Sequence, residues 1–352
     1  MKKKAVAICL LFIMIMTLFS GCAEEDETVF LTVEGKSISK GLYTYYLDRV
    51  LAEPSEYGLE AGDKKGAVDS ATECCKRYVA SEMFMKENET ELSAVNKQAA
   101  ATEVETRWSL YADYYRRLGV AKTDLTEAIT HEYRLRQIVS YYYGPDGLEP
   151  IDEMELKETF VDLYVGFRQI AVPLTKTNSF GETVPLTEQE QEALLNLLRG
   201  YRNAINEGEK TIDEVNVEYN NTLDIIVTEA LEINVVKIGS PMYTQEFYDT
   251  MLEISHTRAG IIICPNTMYL VQREKIATTA EDEFYVYRDG LIEELKIDEI
   301  REQIGNYAAE LKAELDKDMA EEIYDSLCKE EASVPEARIS EETTDITETT
   351  SE

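Results

Sequence analysis

Histidine is nearly absent from this chain: of 352 residues, only His131 and His256 carry an imidazole. Neither lies in a Ser/His/Asp or Cys/His signature, which removes most nucleophilic chemistry that needs a histidine base. Positive charge is also short. Lys and Arg number 35 against 69 Asp and Glu, a formal charge of −34. Such a body does not seek nucleic acid or anionic lipid unaided. With so many acids, carboxylate pairs at any chosen spacing arise by chance and say nothing about catalysis. Only one long apolar run exists, Ala5 to Phe19, broken by Thr17. It is shorter than the ~20 residues that a membrane-spanning helix needs. Cysteines are few and irregular, with no CxxC and no Cys/His set at metal-ligand spacing, so neither a disulfide framework nor a zinc site is expected. Cys74, Cys75, Cys264 and Cys328 read as buried thiols acting as small apolar residues. No metal and no cofactor is implied.

What is present begins at the N-terminus. Lys2, Lys3 and Lys4 precede the apolar run, and Ser20, Gly21 and Cys22 follow it. Basic residues, an apolar stretch and small residues before a cut site make an export signal. Leu18-Phe19-Ser20-Gly21-Cys22 resembles the lipobox of bacterial lipoproteins, with Phe19 in place of the more usual leucine. That resemblance implies a diacylglyceryl thioether on Cys22, which becomes the new N-terminus. Each buried methylene contributes about 0.8 kcal/mol, so two or three acyl chains hold a protein firmly. The expected location is extracytoplasmic, anchored to the outer face of the bacterial cell membrane. Removing residues 1–21 takes away three lysines and moves the formal charge to about −37.

After an acidic tether at residues 22–27, Val29 to Val33 reads as a strand, and Glu34-Gly35-Lys36 turns it toward Ser39, a good N-cap. Leu42, Tyr45, Tyr46 and Val50 then repeat at helical spacing. Helices are predicted over 67–86, 91–118 with Gly119 as C-cap, from Thr123 to Gly144, and over 152–164. The texture then changes. Residues 165–174 are β-rich, 175–185 form a polar loop, and Thr187 with Glu190 makes a capping box for a helix over 188–206. Gly208 interrupts before a shorter helix at 211–219. Residues 223–238 are β-prone, 244–254 helical, and 259–264 and 268–273 are short strands around Pro265-Asn266. Mixed elements in this order indicate an α+β module of about 110 residues. Helix returns over 280–330, with a short strand expected around 308–315. The tail 330–352 holds eight acids and one arginine with few large apolar residues, so disorder is expected.

This order of parts resembles the extracytoplasmic foldases of the SurA/PrsA type. The opening Val33-Glu34-Gly35-Lys36-Ser37-Ile38 is similar to their Val-x-Gly-x-x-Ile strand. Tyr143-Gly144-Pro145-Asp146-Gly147 and Asp152 to Lys157 look like the segment before their parvulin module. Phe167-Arg168-Gln169-Ile170-Ala171-Val172 stands where parvulins carry Arg-His-Ile-Leu, and Asn266 to Val271 stands where the last strand reads Gly-Tyr-His-Ile-Ile. Residues 203–219 resemble a Gly-x-x-Phe helix pair.

The resemblance implies an α+β fold class. A mainly helical SurA/trigger-factor-like chaperone domain at 28–163 is completed by C-terminal helices at 277–330. A parvulin-like α+β domain at 164–276 is inserted between them, and 331–352 is a disordered acidic tail. It also implies peptidyl-prolyl isomerase chemistry through two strand histidines, but here those positions are Gln169 and Tyr269. Gln never ionises and Tyr is a neutral phenol near pH 7. The module is therefore expected to retain the fold with weak or no activity.

Function then falls to the helical domain, where the resemblance implies a cradle for unfolded or nascent secreted proteins. Tyrosines concentrate there, being apolar in body and polar at the tip. Tyr46, Trp108, Tyr111, Tyr115 and Tyr142 are the client-contact candidates. Runs such as Tyr114-Tyr115 and Tyr141-Tyr142-Tyr143 cannot all face inward on one helix. The reading is a membrane-anchored chaperone with unfolded clients, no nucleic acid, and a second copy of the chain as an admissible partner. The alternatives are an active isomerase with an altered centre, a solute-binding lipoprotein, whose usual repeated βαβ lobes the long helical half argues against, and a structural envelope lipoprotein.

Overall fold

The structure, a computed structural model, describes residues 30–279 and 281–331. The signal, Cys22, the tether and nearly all of the acidic tail lie outside the described residues. The fold class is α+β. Compactness divides the chain into two units, one of residues 1–138 with 297–352 and the other of 139–296.

The helical unit opens on a tight hairpin. Strands β1 (Leu31–Val33) and β2 (Lys36–Ile38) pair antiparallel, with Leu31 opposite Ile38. Glu34 and Gly35 connect them at φ 48° and 78°, the two positive values that a two-residue type I′ turn requires. On the other edge of β1 lies β9 (Ala313–Leu315), with Leu31 opposite Leu315, so residues 284 positions apart in sequence form one three-stranded sheet. Helices α1 (Lys40–Ala52), α2 (Lys64–Glu87) and α3 (Ala94–Arg117) follow. Each starts on a side-chain cap, from Ser39, Asp63 and Ser93 respectively. Helix α3 ends as expected at Gly119, whose φ of 75° suits a residue without Cβ. The unit also takes the start of α4 (Lys122–Tyr143), the end of α9 (Glu281–Glu310), and α10 (Lys317–Glu331). One core joins Leu31 and Val33 to Leu42, Tyr43, Leu47, Ala71, Tyr78, Ala128, Ala320 and Leu327.

Within that core the entries to α1 and α4 are locked together. The Ser39 hydroxyl accepts from Leu42 N, capping α1, and donates to Asp124 at 2.5 Å. Asp124 also accepts from Ala121 N at 2.7 Å, serving the start of α4. The two caps meet because Gly41 lets the carboxylate close in; a Cβ there would stand 2.0 Å from Asp124 Oδ2.

The second unit contains α5 (Glu153–Leu163) and a four-stranded antiparallel sheet in the order β6-β3-β8-β7. Its strands are β3 (Tyr164–Pro173), β6 (Asn234–Lys237), β7 (Ala259–Cys264) and β8 (Thr267–Glu274). Because side chains alternate across a strand, each strand serves two cores. Ile170, Val172, Met268 and Leu270 face α6 (Glu188–Glu207) and α7 (Ile212–Asn221), packing on Leu198, Tyr201 and Val215. Val165, Phe167, Ile262 and Val271 face the other way, against Phe247, Tyr248 and Met251 of α8 (Gln245–Glu253). Capping boxes at Thr187/Glu190 and Thr211/Glu214 start α6 and α7.

Two expectations are corrected. Residues 175–185 are not a plain loop but a hairpin of β4 (Thr175–Thr177) and β5 (Thr183–Pro185), closed by the Asn178 side chain accepting from Phe180 N and Glu182 N. In 223–238 only Asn234–Lys237 is strand, because Asn220 and Asn221 start a run of turns and only that segment reaches the edge of β3.

Replacing Gly41 by alanine is expected to force Asp124 away from both helix entries. Loss of these partly buried hydrogen bonds should cost roughly 1–3 kcal/mol. A urea titration of the variant checks this, and an unchanged midpoint would contradict the coupling.

Candidate functional site

Gln169 and Tyr269 do fall on one face of the sheet. Gln169 sits opposite Val271 and Tyr269 opposite Ala171, which makes them diagonal neighbours on adjacent strands, on the side covered by α8. Tyr243 bridges the pair: its hydroxyl accepts from Gln169 Nε2 at 2.9 Å, and its ring meets the Tyr269 ring edge-on at 6.1 Å. The Tyr243 ring also stacks on Phe247 at 4.1 Å, and Phe247 meets Tyr269 at 5.3 Å. Phe167 closes the group from β3, 5.7 Å from Tyr243. Cys264, half-buried, packs on the same cluster.

Local sequence explains why Tyr243 stands there. Thr244 caps α8, accepting from Phe247 N, which puts Tyr243 at the position before the cap. It packs back on the first turn, 6.1 Å from Tyr248, in a hydrophobic staple. Sequence reasoning missed this residue, although the staple pattern Tyr-Thr-x-x-Phe-Tyr was the signal for it. The chemistry of the cluster is neutral. Burial raises the Tyr243 phenol above its ordinary pKa, opposed by the Gln169 hydrogen bond. Gln169 Oε1 is buried without a hydrogen-bond partner. His256, exposed between α8 and β7, is in neither the cluster nor its rim. Among the described residues, no group of three or more His, Cys, Asp or Glu side chains could hold a metal ion.

The helical unit, by contrast, holds an open cleft of about 590 Å³. Tyr45 and Tyr46 of α1, Tyr57 after it, and Cys74 and Arg77 of α2 line it, with His131, Glu132 and Arg301 contributed by α4 and α9. Among the client-contact candidates, Tyr46 is buried in this lining and its hydroxyl has no hydrogen-bond partner. Burial holds its phenol well above the ordinary range, and Glu132 adds to that. Tyr115 is only 5% exposed, packed between Tyr45 and a parallel Trp108 ring at 6.1 Å. It packs in the core of the helical unit. Trp108 and Tyr111 are half-buried against the same core. Tyr142 belongs to the other unit, half-buried beside Tyr141, while Tyr143 is buried, so the tyrosine run splits its facing.

The cleft thiol and imidazole are both held neutral. Burial pushes Cys74 up to about 11, despite Arg77 and Arg49 nearby. His131 is fully enclosed: its Nδ1 lies 2.9 Å from the Ser81 hydroxyl. Burial, reinforced by the charges of Arg134, Arg77 and Arg301, drives its pKa down to about 3.

No family model and no curated protein matches the sequence. Solved structures do. The chain is similar to PrsA foldases. The protein from Lactococcus lactis shares 10% identity at a TM-score of 0.37, covering 85% of this chain and 98% of that one. PrsA of Streptococcus pneumoniae shares 12% at 0.33, covering 87% and 94%. A SurA-like chaperone of Campylobacter jejuni shares 9% at 0.27, covering 81% and 98%.

The buried imidazole predicts a specific pH response. Unfolded His131 takes up a proton near its ordinary value of 6.5, whereas folded His131 refuses one until about pH 3. Its contribution is complete above pH 6.5 and is lost as pH falls toward 3. Between pH 7 and 5 that loss is about 2 kcal/mol. Urea midpoints at both pH values should show it, and a His131→Gln variant should lack that part of the dependence; an identical pH slope in both proteins would refute it.

Proposed function

We propose that this protein is an extracytoplasmic chaperone that holds unfolded secreted polypeptides in the cleft of its helical unit, with the sheet unit serving as a non-catalytic scaffold. The observation that carries the reading is where room for a ligand lies. The cleft of the helical unit is open, about 590 Å³. The sheet position at Gln169 and Tyr269 is filled by the Tyr243 ring and its hydrogen bond.

Prolyl isomerisation has to twist a conjugated amide over a barrier of about 18–20 kcal/mol. A centre for that work needs a place for the prolyl ring and polar groups aimed at the twisting amide. Here the amide of Gln169 is engaged with Tyr243, and the rings of Tyr243, Phe247 and Tyr269 pack on one another. The cleft suits transient capture instead. Aromatic rings present apolar area at low entropic cost, while charged groups among them keep the surface from collapsing on itself. Lipidation of Cys22 would hold the body beside the membrane where exported chains emerge, raising its local concentration. Among the described residues no helix is long and apolar enough to cross a membrane.

Three measurements test this reading. A protease-coupled prolyl peptide assay should give the uncatalysed rate; turnover well above it that drops in Gln169→Ala would sink the non-catalytic assignment. The mature chain at stoichiometric ratio should suppress aggregation of a chemically denatured client, and failure to do so would remove the chaperone role. Cells expressing the full chain should incorporate labelled fatty acid into it, and Cys22→Ala should abolish that label; equal labelling of both would disprove the anchor.

A further inference from the structure

The cleft departs from the rest of the molecule in charge. Across the whole chain acids outnumber bases about two to one, yet the cleft wall carries as many guanidinium groups as carboxylates. The carboxylates are largely spoken for. Glu103 takes Arg107 at 2.6 Å and the Tyr133 hydroxyl at 3.0 Å. Glu73 takes Lys76 at 3.0 Å, and Glu132 lies 3.9 Å from Arg301. That leaves Glu56, which is exposed at the rim.

Arg77 is the contrasting case. It stands exposed on the α2 wall, and among the described residues no carboxylate lies within ion-pair distance of it. Its guanidinium lies against Gly305, where an added Cβ would stand 3.5 Å from Arg77 Nη2, and His131, which also lines the cleft, carries no charge near neutral pH. Arg77 and Arg301 both line the cleft beside His131, and with Arg134 they help hold that imidazole neutral. The floor also contains the unsatisfied Tyr46 hydroxyl. An arginine fork beside a polar floor, in a partly enclosed space, matches the geometry and charge of a carboxylate.

We propose that the cleft takes a carboxylate of the bound polypeptide, with Arg77 as the group that meets it. The inference rests on the reading of the cleft as the client site and names what that site selects. The source of the carboxylate is either an acidic side chain or a free C-terminus, since both present the same two oxygens. The net negative charge of the chain does not forbid this: surface repulsion is screened over ~8 Å at physiological ionic strength, whereas the pairing in the cleft is at contact distance.

Fluorescence anisotropy with the mature chain and labelled peptides tests the proposal. The peptides share one aromatic-rich neutral sequence and differ only in charge: one is amidated, one carries a free C-terminus, and one is amidated with an internal glutamate. A charge-assisted fork should make at least one carboxylate peptide bind about tenfold tighter than the neutral one. Whichever gains identifies the source. Arg77→Gln should erase that gain and leave the neutral peptide unchanged. Lys65→Gln, which removes the same charge from the outer side of α2, should leave all affinities as they were. Equal binding of the three peptides, or a gain that survives in Arg77→Gln, overturns the carboxylate assignment while the chaperone reading stands. No binding by any peptide, together with no suppression of client aggregation, overturns both.

Discussion

The pairing of β1 with β9 is the constraint on which the helical unit depends. Leu31 to Val33 cannot bury both edges of their short strand with the hairpin alone. The second edge is covered by Ala313 to Leu315, and Glu34 N and Asp316 N donate to Lys312 O and Phe30 O on either side of it. Closing so long a loop is less costly than its length suggests, because loop entropy grows only with the logarithm of length. The return is a shared core: Ala320, Ile323, Tyr324 and Leu327 of α10 pack with the residues of α1 and α2. A whole second unit can therefore be inserted within the first without leaving its core half-built. The Ser39–Asp124 junction acts on the same core from another side, setting the angle at which α1 and α4 begin.

Electrostatics separates the outside of this chain from its cleft. The exposed acids keep the body soluble and are mostly too solvated to hold structure, and single surface ion pairs such as Lys65 with Asp69 contribute little. In the cleft of the helical unit the two signs are even, with four guanidiniums and four carboxylates around a neutral imidazole and a neutral thiol. Titratable groups that look reactive in the sequence are thus silenced by burial. In the sheet unit the polar groups are engaged by packing: Tyr243 lies against Phe247 and Tyr269, and the amide of Gln169 donates to its hydroxyl.

Local elements were largely legible. Caps at Ser39 and Thr187 and the glycine stops at Gly119 and Gly208 work over three or four residues, so the chain states them directly, whereas Thr211 and Thr244, read as first helical residues, are caps. The strands at 165–174, 259–264 and 268–273 were legible from β-rich composition and, for the last two, from the Pro265-Asn266 turn between them. The hairpin at 175–185 was not legible as strand, because its stability comes from Asn178 accepting two backbone bonds rather than from apolar pattern. The β-prone run at 223–238 overreached for the opposite reason: apolar composition does not supply a partner strand, and only four of its residues find one.

What the sequence determined by itself was the inventory: two histidines, neither on a strand of the sheet; glutamine and tyrosine at the positions where the family resemblance would place imidazoles; and the period of each helix. What only tertiary structure decided was which of these residues meet. That Tyr243 would fill the space beside Gln169, that Tyr115 would turn inward, and that Arg77, His131 and Arg301 would converge on one cleft all depend on contacts between residues tens to hundreds of positions apart. Periodicity reports which face of an element is buried, since that is set within a few residues. It carries no record of which distant face covers it, because that choice is made by shape and charge complementarity across the folded core.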